Sequence, residues 1–375
     1  MKKSLFLIGQ LALVLSASAL SSNYLSAQSN TKTASITSAK MLNETLVEVQ
    51  FSDSKKMLLD FYGKGIFRMF QDPNTELGLR NPAAKPEAQI LVNQPRKNAG
   101  KMQIKDDGNS LVISSEAVSI QFNKSAATFI VTDLKRNKVI LESVEPLKFE
   151  KGRTTVTFKE NPNEYFFGGG VQNGRFSHKG KTIAIENQNS WTDGGVASPT
   201  PFYWSTNGYG LMWYTFKKGK YDFGTQNSKK VKISHDDNYA DFFIMVNDGV
   251  VPLLNDFYQL TGNPVLLPKM SLYEGHLNAY NRDYWKEDEK GILFEDGKKY
   301  KESQKDQTGI KESLNGEKNN YQFSARAVID RYKKHDMPLG WILPNDGYGA
   351  GYGQEETLDG NIKNLKTFGE YAKKN

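Results

Sequence analysis

The stretch Gly340-Trp-Ile-Leu-Pro-Asn-Asp-Gly-Tyr-Gly-Ala-Gly-Tyr-Gly353 decides how the C-terminal part of the chain is interpreted. A short apolar run, residues 339–343, predicts a strand, and Asn345 and Asp346 follow it among glycines and tyrosines. In α/β enzymes, ligands bind in polar loops at the carboxyl ends of buried strands. The pattern therefore predicts a ligand-binding strand end, with Asn345 and Asp346 as candidate binding residues.

A second strand with a polar end precedes this one. Residues 270–278 change from apolar to polar and end in His276 and Asn278. Helical spacing of apolar residues predicts a helix over 325–332 and another over 358–372. Strand-helix-strand-helix is typical of a parallel sheet or barrel, whose strand ends converge on one face. His276 and Asn278 therefore join Asn345 and Asp346 as candidates, although Asp346 could instead cap its own loop.

Two βα units cannot close a barrel, so we expect residues 269–375 to form an incomplete parallel domain in which the chain ends. The highly charged residues 284–320 are interpreted as an inserted loop. Before this domain, residues 28–250 show short alternating runs, such as 46–51, 118–122 and 155–158, with turn residues between them. This period of two predicts an antiparallel β-sandwich. Residues 251–268 are interpreted as a linker that contains a short helix.

Two loops of the predicted sandwich merit comparison. Gly168, Gly169 and Gly170 are contiguous and lack a βαβ context, so they predict a strand with unusual backbone angles rather than a phosphate loop. Residues 191–205 are more informative, because sugars are bound by exposed aromatic rings together with carboxylates and amides. Trp191 and Asp193 are therefore candidate sugar-binding residues, whereas the aromatic residues at 202 and 204 are expected in the core.

The remaining bulk features narrow the class of protein. Met-Lys-Lys followed by an apolar run predicts a signal peptide over residues 1–27, and hence a periplasmic or secreted bacterial protein without a membrane span after processing. The net charge of +7 comes from interleaved acidic and basic residues, which argues against nucleic-acid binding. Cysteine is absent and the four histidines lack ligand spacing, so no metal site is expected.

Taken together, residues 165–178, 193–210, 261–268, 270–284 and 341–352 resemble glycoside hydrolase family 31. The resemblance implies an N-terminal β-sandwich followed by a (β/α)8 TIM barrel, truncated here after about two βα units. It also implies a secreted α-glycosidase that hydrolyses or transfers α-linked galactosyl or glucosyl residues by retaining double displacement, with an oligosaccharide or α-glycoside as partner. Retaining catalysis uses two carboxyl groups, a nucleophile and an acid/base, so the resemblance implies that no cofactor is needed.

In the family, both catalytic aspartates come later in the barrel, so we expect them beyond Asn375 and expect this chain alone to be inactive. The resemblance assigns substrate binding to Asp346, on the second barrel strand, and to Asp193, in a sandwich loop. The family motif Asp-Ile-Asp-Tyr is replaced here by Asn345-Asp-Gly-Tyr348. This departure resembles a subgroup of α-galactosidases and α-glucosyltransferases. The sequence leaves the sugar, the linkage and the oligomeric state open.

Two other functions remain open. The sandwich could be a non-catalytic carbohydrate-binding protein. It could also be a mutarotase-like or lyase-like enzyme, which would need an acid–base pair such as His178 and Glu186.

Overall fold

The computed structural model describes residues 34–74, 90–276, 285–302, 314–316, 321–343 and 355–375. These residues are mostly β-strand, and the boundary between two compact units falls between Asn263 and Pro264. Among the described helices, none is both long enough and apolar enough to cross a bilayer.

The first unit contains strands, one helix and the turns that join them. Its described elements are β1 (Ile36–Met41), β2 (Leu46–Phe51), β3 (Lys56–Gly63), β4 (Ile66–Gln71), β5 (Gln103–Asp106), β6 (Ser110–Ser114), β7 (Val118–Asn123), β8 (Thr128–Asp133), β9 (Lys138–Glu142), β10 (Lys148–Glu150), β11 (Arg153–Lys159), β12 (Phe166–Gln172), β13 (Thr182–Ile185), β14 (Val196–Ser205), β15 (Tyr209–Trp213), β16 (Gly219–Phe223), β17 (Lys230–His235), β18 (Ala240–Val246) and α1 (Val250–Thr261).

These strands form three antiparallel sheets around one core. The largest sheet has eight strands in the order β1-β2-β3-β4-β18-β15-β14-β12. Two five-stranded sheets, β5 to β9 in sequence order and β10-β11-β17-β16-β13, contribute to the same apolar core. Alternate residues of the eight-stranded sheet, such as Phe67, Met69 and Phe242, enter this core because successive side chains of a strand point to opposite faces. The predicted antiparallel β-sandwich is confirmed.

Helix α1 covers part of the other face of the eight-stranded sheet. Its buried Leu253 and Leu260 pack in a second apolar cluster with Tyr62, Met212 and Met245. The sequence interpretation placed this segment in a linker over 251–268, whereas the first compact unit extends to Asn263. The difference arises because the sheet is buried on both faces in its central strands, and α1 supplies the apolar surface for one of them.

The glycine run in β12 has the backbone that the sequence predicts. Gly168, Gly169 and Gly170 have φ angles of 107°, 77° and 79°. The register of β12 against β14 shifts between Gly168 and Gly170. An added Cβ at Gly170 would lie 2.1 Å from the carbonyl oxygen of Ser198. The run therefore forms an irregular strand that only glycine accommodates.

The described part of the second unit contains short strands and two helices. Its described elements are β19 (Gly275–His276), β20 (Trp285–Leu293), β21 (Lys299–Glu302), α2 (Ala325–Lys334), β22 (Trp341–Ile342) and α3 (Glu355–Lys374), with 3-10 turns at Lys269–Leu272 and Tyr321–Phe323. Strands β19 and β22 pair in parallel, with α2 between them in sequence. This pair confirms the predicted strand-helix-strand order.

Two details of the second unit differ from the predictions. The strand predicted over 270–278 begins as a 3-10 turn, and of its described residues, 270–276, only Gly275–His276 pairs with β22. The predicted loop over 284–320 contains the antiparallel hairpin of β20 and β21. Five consecutive residues of β20, 286–290, are charged, so a pattern based on alternating hydrophobicity does not detect this strand.

Candidate functional site

The candidate site is the loop between β13 and β14, which carries Trp191 and Asp193. This loop is joined to the end of β12 by backbone hydrogen bonds. The amide of Asn173 donates to the carbonyl of Gly195, and the amide of Gly194 donates to the carbonyl of Asn173, both at 3.0 Å. The side-chain amide of Asn173 also donates to the carbonyl of Ser190 at 2.6 Å. Asn173, which sequence analysis missed, therefore binds the loop on both sides of Trp191 and Asp193.

Both predicted sugar-binding side chains of this loop are available to a ligand. The side chain of Trp191 is 74% exposed, and its indole N–H donates to Asn189 Oδ1 at 3.3 Å. Asp193 is exposed, and within the described ranges no hydrogen bond or ion pair engages its carboxylate. A Cβ added at Gly174 would lie 2.7 Å from Asp193 Oδ1, so the absence of a side chain at 174 leaves room for the carboxylate.

This arrangement is suited to a polyhydroxylated ligand. An indole face packs against the apolar CH groups of a sugar, and a carboxylate accepts hydrogen bonds from its hydroxyls. The connection between β12 and β13 adds Phe176, whose side chain is 87% exposed. Its ring makes an edge-to-face contact with that of Phe167, and the two ring centroids are 5.5 Å apart. Phe176 was missed because an isolated Phe in a loop carries no pattern. The residue at 202 is buried and stacks on Phe257, as expected for the core.

At the strand ends of the second unit, only one of the four predicted residues can be placed. His276 lies at the end of β19, and its Nδ1 is 3.2 Å from the hydroxyl of Tyr332. Burial, together with the charge of Arg331, lowers the pKa of His276 below its usual value, which favours the neutral ring. Asn278, Asn345 and Asp346 lie outside the described residues, so their convergence with His276 stays a prediction.

The acid–base pair considered for a mutarotase-like enzyme does not form a site. His178 is buried, its Nε2 is 2.8 Å from the carbonyl oxygen of Gly168, and its ring stacks on Phe223. Burial lowers the pKa of His178. Glu186 instead forms an ion pair with Lys218 at the surface. Elsewhere in the described ranges, no three His, Asp or Glu side chains come together as metal ligands.

Comparison with known proteins gives the same family as the sequence motifs. Residues 56–222 match the glycosyl hydrolase 31 N-terminal galactose mutarotase-like domain. The α-xylosidase of Saccharolobus solfataricus is 27% identical over 189 residues, which are 46% of this chain and 25% of that protein. The α-xylosidase XylQ of Lactiplantibacillus pentosus is 26% identical over 140 residues, which are 36% of this chain and 18% of that protein.

Solved structures show the same fold. The family 31 dextranase of Flavobacterium johnsoniae, complexed with glucose, has a TM-score of 0.67 and 16% identity, and the match covers 90% of this chain and 37% of that one. A family 31 α-xylosidase from a soil metagenome, complexed with xylose, has a TM-score of 0.53 and 18% identity over 64% of this chain and 37% of that one. The chain therefore spans less than two thirds of the length of each of these relatives.

Proposed function

Because this chain belongs to glycoside hydrolase family 31, we propose that it is the sugar-contacting N-terminal part of a secreted, retaining α-glycosidase. The observation that carries the proposal is the loop between β13 and β14, which presents an exposed indole and an exposed carboxylate without a partner among the described residues. The substrate is an oligosaccharide or α-glycoside with an α-linked glucosyl or galactosyl unit. The relatives named α-xylosidases add α-xylosyl units to this range.

The residues have separate roles in this proposal. Trp191 packs against a sugar ring, and Asp193 accepts hydrogen bonds from its hydroxyls. The pair β19 and β22, with α2 between them, supplies the first strands of a (β/α)8 barrel, and His276 marks the end of the first one. Asn278, Asn345 and Asp346 are the further substrate-binding residues that the proposal assigns to these strand ends.

Catalysis requires two further carboxyl groups. Retaining hydrolysis places a nucleophile and an acid/base on either side of the scissile bond, about 5 Å apart. In the proposal neither is supplied by the described residues, so the purified 375-residue protein binds sugars but does not hydrolyse p-nitrophenyl α-glucoside, α-galactoside or α-xyloside. Turnover of any of these three compounds by this protein would contradict the assignment.

Sugar binding tests the role of the loop directly. Isothermal titration with isomaltotriose, maltotriose and a xylose-containing oligosaccharide should give affinity for at least one of them. Trp191→Ala and Asp193→Asn should each weaken it about tenfold, the effect of losing roughly 1.4 kcal/mol of binding free energy. Phe216→Ala and Asp248→Asn remove an exposed ring and an exposed carboxylate elsewhere, and should leave the affinity unchanged. Equal loss in both pairs of variants would remove the loop from the site.

The same loop favours one alternative, a carbohydrate-binding sandwich without catalysis. The two functions are distinguished by the reading frame after the codon for Asn375. Continuation into further βα units with two aspartates at strand ends supports the glycosidase, whereas a stop codon supports the binding protein.

A further inference from the structure

A polar groove of about 450 Å³ lies in the first unit, on the solvent side of the sheet β10-β11-β17-β16-β13. Successive side chains of β16 and β17 point to opposite faces of the sheet, and this forms the floor of the groove. Tyr221 and Ile233 enter the core, while Lys220 and Ser234 line the groove. Arg175 and Gly194 line it from the loops beside β13. Its volume is typical of sites for small molecules.

Both carboxylates that line the groove form ion pairs, whereas two of its cations have no carboxylate partner among the described residues. Asp236 is paired with Arg153, whose Nε and Nη2 atoms donate to Oδ1 of Asp236 at 3.1 and 2.8 Å. Glu186 is engaged by Lys218. Lys220 has no carboxylate partner within the described residues, and the nearest polar side-chain contact of Arg175 is the neutral Gln172, at 3.4 Å. Two cations therefore face this groove without a matching negative charge.

The remaining lining discriminates between kinds of anion. An ion-paired carboxylate keeps lone pairs that can still accept hydrogen bonds, so Glu186 and Asp236 can bind hydroxyl groups. The same carboxylates repel a bare inorganic anion. Gln188 and Thr182 provide further donors and acceptors at the groove. A ligand that joins one negative group to several hydroxyls satisfies both halves of this lining.

We propose that this groove is a second carbohydrate site, which binds an acidic sugar unit through Arg175 and Lys220. The anionic group, a carboxylate or a sulfate, pairs with these two cations, and the sugar hydroxyls are bound by Glu186, Asp236 and Gln188. This site goes beyond the proposed glycosidase function and does not depend on Trp191 or Asp193.

Isothermal titration of the full chain with α-1,4-linked trigalacturonate and with its uncharged methyl ester tests the proposal. The acid should bind at least about tenfold more tightly than the ester, because hydrogen bonds between ionised groups are stronger than those between neutral groups. Arg175→Gln and Lys220→Gln should each reduce this difference, and raised salt should reduce it further. Lys232→Gln is the matched control: Lys232 is exposed on the neighbouring strand β17 and does not line the groove.

The possible outcomes separate the parts of the proposal. Equal binding of acid and ester, absence of binding, or equal weakening by Lys232→Gln would overturn it. Galactose 6-sulfate distinguishes a sulfated sugar from a uronate, and binding of either one supports the site. Competition by inorganic sulfate as strong as that of the sugar acids would refute the role of the hydroxyl-binding residues. Trp191→Ala should leave trigalacturonate binding intact, so failure of the glycosidase proposal and failure of this one can be told apart.

Discussion

The side chain of Lys179 neutralises a cluster of oxygens between β11 and β12. Its ammonium donates to the carbonyls of Asn161, Pro162 and Glu164 at 3.2, 2.8 and 2.8 Å. It also lies 3.2 Å from Oε1 of Glu160, whose side chain is 5% exposed. Burial raises the pKa of Glu160 even with this ammonium beside it. A lysine that binds three carbonyls and a buried carboxylate holds this loop together.

We expect Lys179→Met to lower the free energy of unfolding by about 2–4 kcal/mol, because it removes the ammonium donor from the buried carboxylate of Glu160 and from the carbonyls of Pro162 and Glu164. Urea unfolding followed by tryptophan fluorescence measures the change. Lys181→Met, at an exposed lysine two residues later, should change stability by less than about 0.5 kcal/mol. A similar effect of both substitutions would mean that the ammonium of Lys179 contributes nothing specific.

A buried histidine makes stability depend on pH. His235 is fully enclosed: its Nε2 is 2.9 Å from the hydroxyl of Tyr221 and its Nδ1 is 3.1 Å from the carbonyl oxygen of Lys217. Burial lowers the pKa of His235 from 6.5 to about 4. Between these two pH values the unfolded chain binds a proton that the folded chain does not, so stability falls as pH falls through this window.

Urea unfolding at several pH values should therefore show a loss of up to about 3 kcal/mol between pH 6.5 and 4 from this residue. His178, whose pKa burial also lowers, acts in the same direction. His235→Gln should be less stable than the wild type at pH 7 but should show a shallower dependence below pH 6.5. His335→Gln, at a half-exposed side chain, should retain the wild-type dependence. An unchanged slope in His235→Gln would refute the assignment.

At the scale of elements, the irregular strand β12 depends on glycine. Gly170 and Gly152 both have positive φ angles, 79° and 75°. An added methyl group at Gly170 would overlap the backbone of β14, whereas at Gly152 no atom lies within 4 Å. Both Gly→Ala substitutions incur the cost of the backbone conformation, about 1 kcal/mol. Only Gly170→Ala also requires β12 to move away from β14.

We expect Gly170→Ala to reduce the free energy of unfolding by at least about 2 kcal/mol more than Gly152→Ala does, since a clash with backbone atoms adds to the backbone strain. Thermal unfolding monitored by circular dichroism compares the two variants. Because β12 carries Asn173 at its end, Gly170→Ala should also weaken sugar binding by the loop between β13 and β14. Equal stability of both variants would show that β12 can shift without cost.

The elements that sequence reasoning identified share one property: their apolar residues recur with the period of a single element. Strands β2, β7 and β11 alternate apolar and polar residues in sequence, although only β7 also alternates in burial and most residues of β2 and β11 are buried. Helix α2 shows the period of 3.6. The short helix α1 was predicted, but it was placed in a linker because the surface that it covers belongs to the sheet behind it and leaves no local pattern. The hairpin of β20 and β21 was missed because its strands are highly charged.

At the scale of the whole molecule, the candidate site was only partly predictable. Trp191 and Asp193 were proposed as binding residues because a short polar loop rich in glycine gives a buried role to neither side chain, and both are exposed in the structure. The contribution of Asn173 depends on contacts with a loop that comes about 20 residues later, and no local pattern encodes them. The groove lined by Arg175 and Lys220 was invisible for the same reason, since its floor and walls come from separate strands and loops.

Residues 265–267, which directly follow the boundary between the two compact units, are expected to be the first site of proteolysis. Val265, Leu266 and Leu267 are 84%, 95% and 62% exposed, and no regular secondary structure includes them. Proteases bind extended, accessible segments, so thermolysin, which cleaves before apolar residues, should make its first cut among the described residues here. Mass spectrometry should then detect C-terminal fragments that begin at residue 265, 266 or 267.

Replacing all three residues by Asn should slow this cut at least about tenfold without changing the unfolding of the sandwich, whose core lies within residues 36–246. A first cut within α1 or within the three sheets would contradict the division at Asn263.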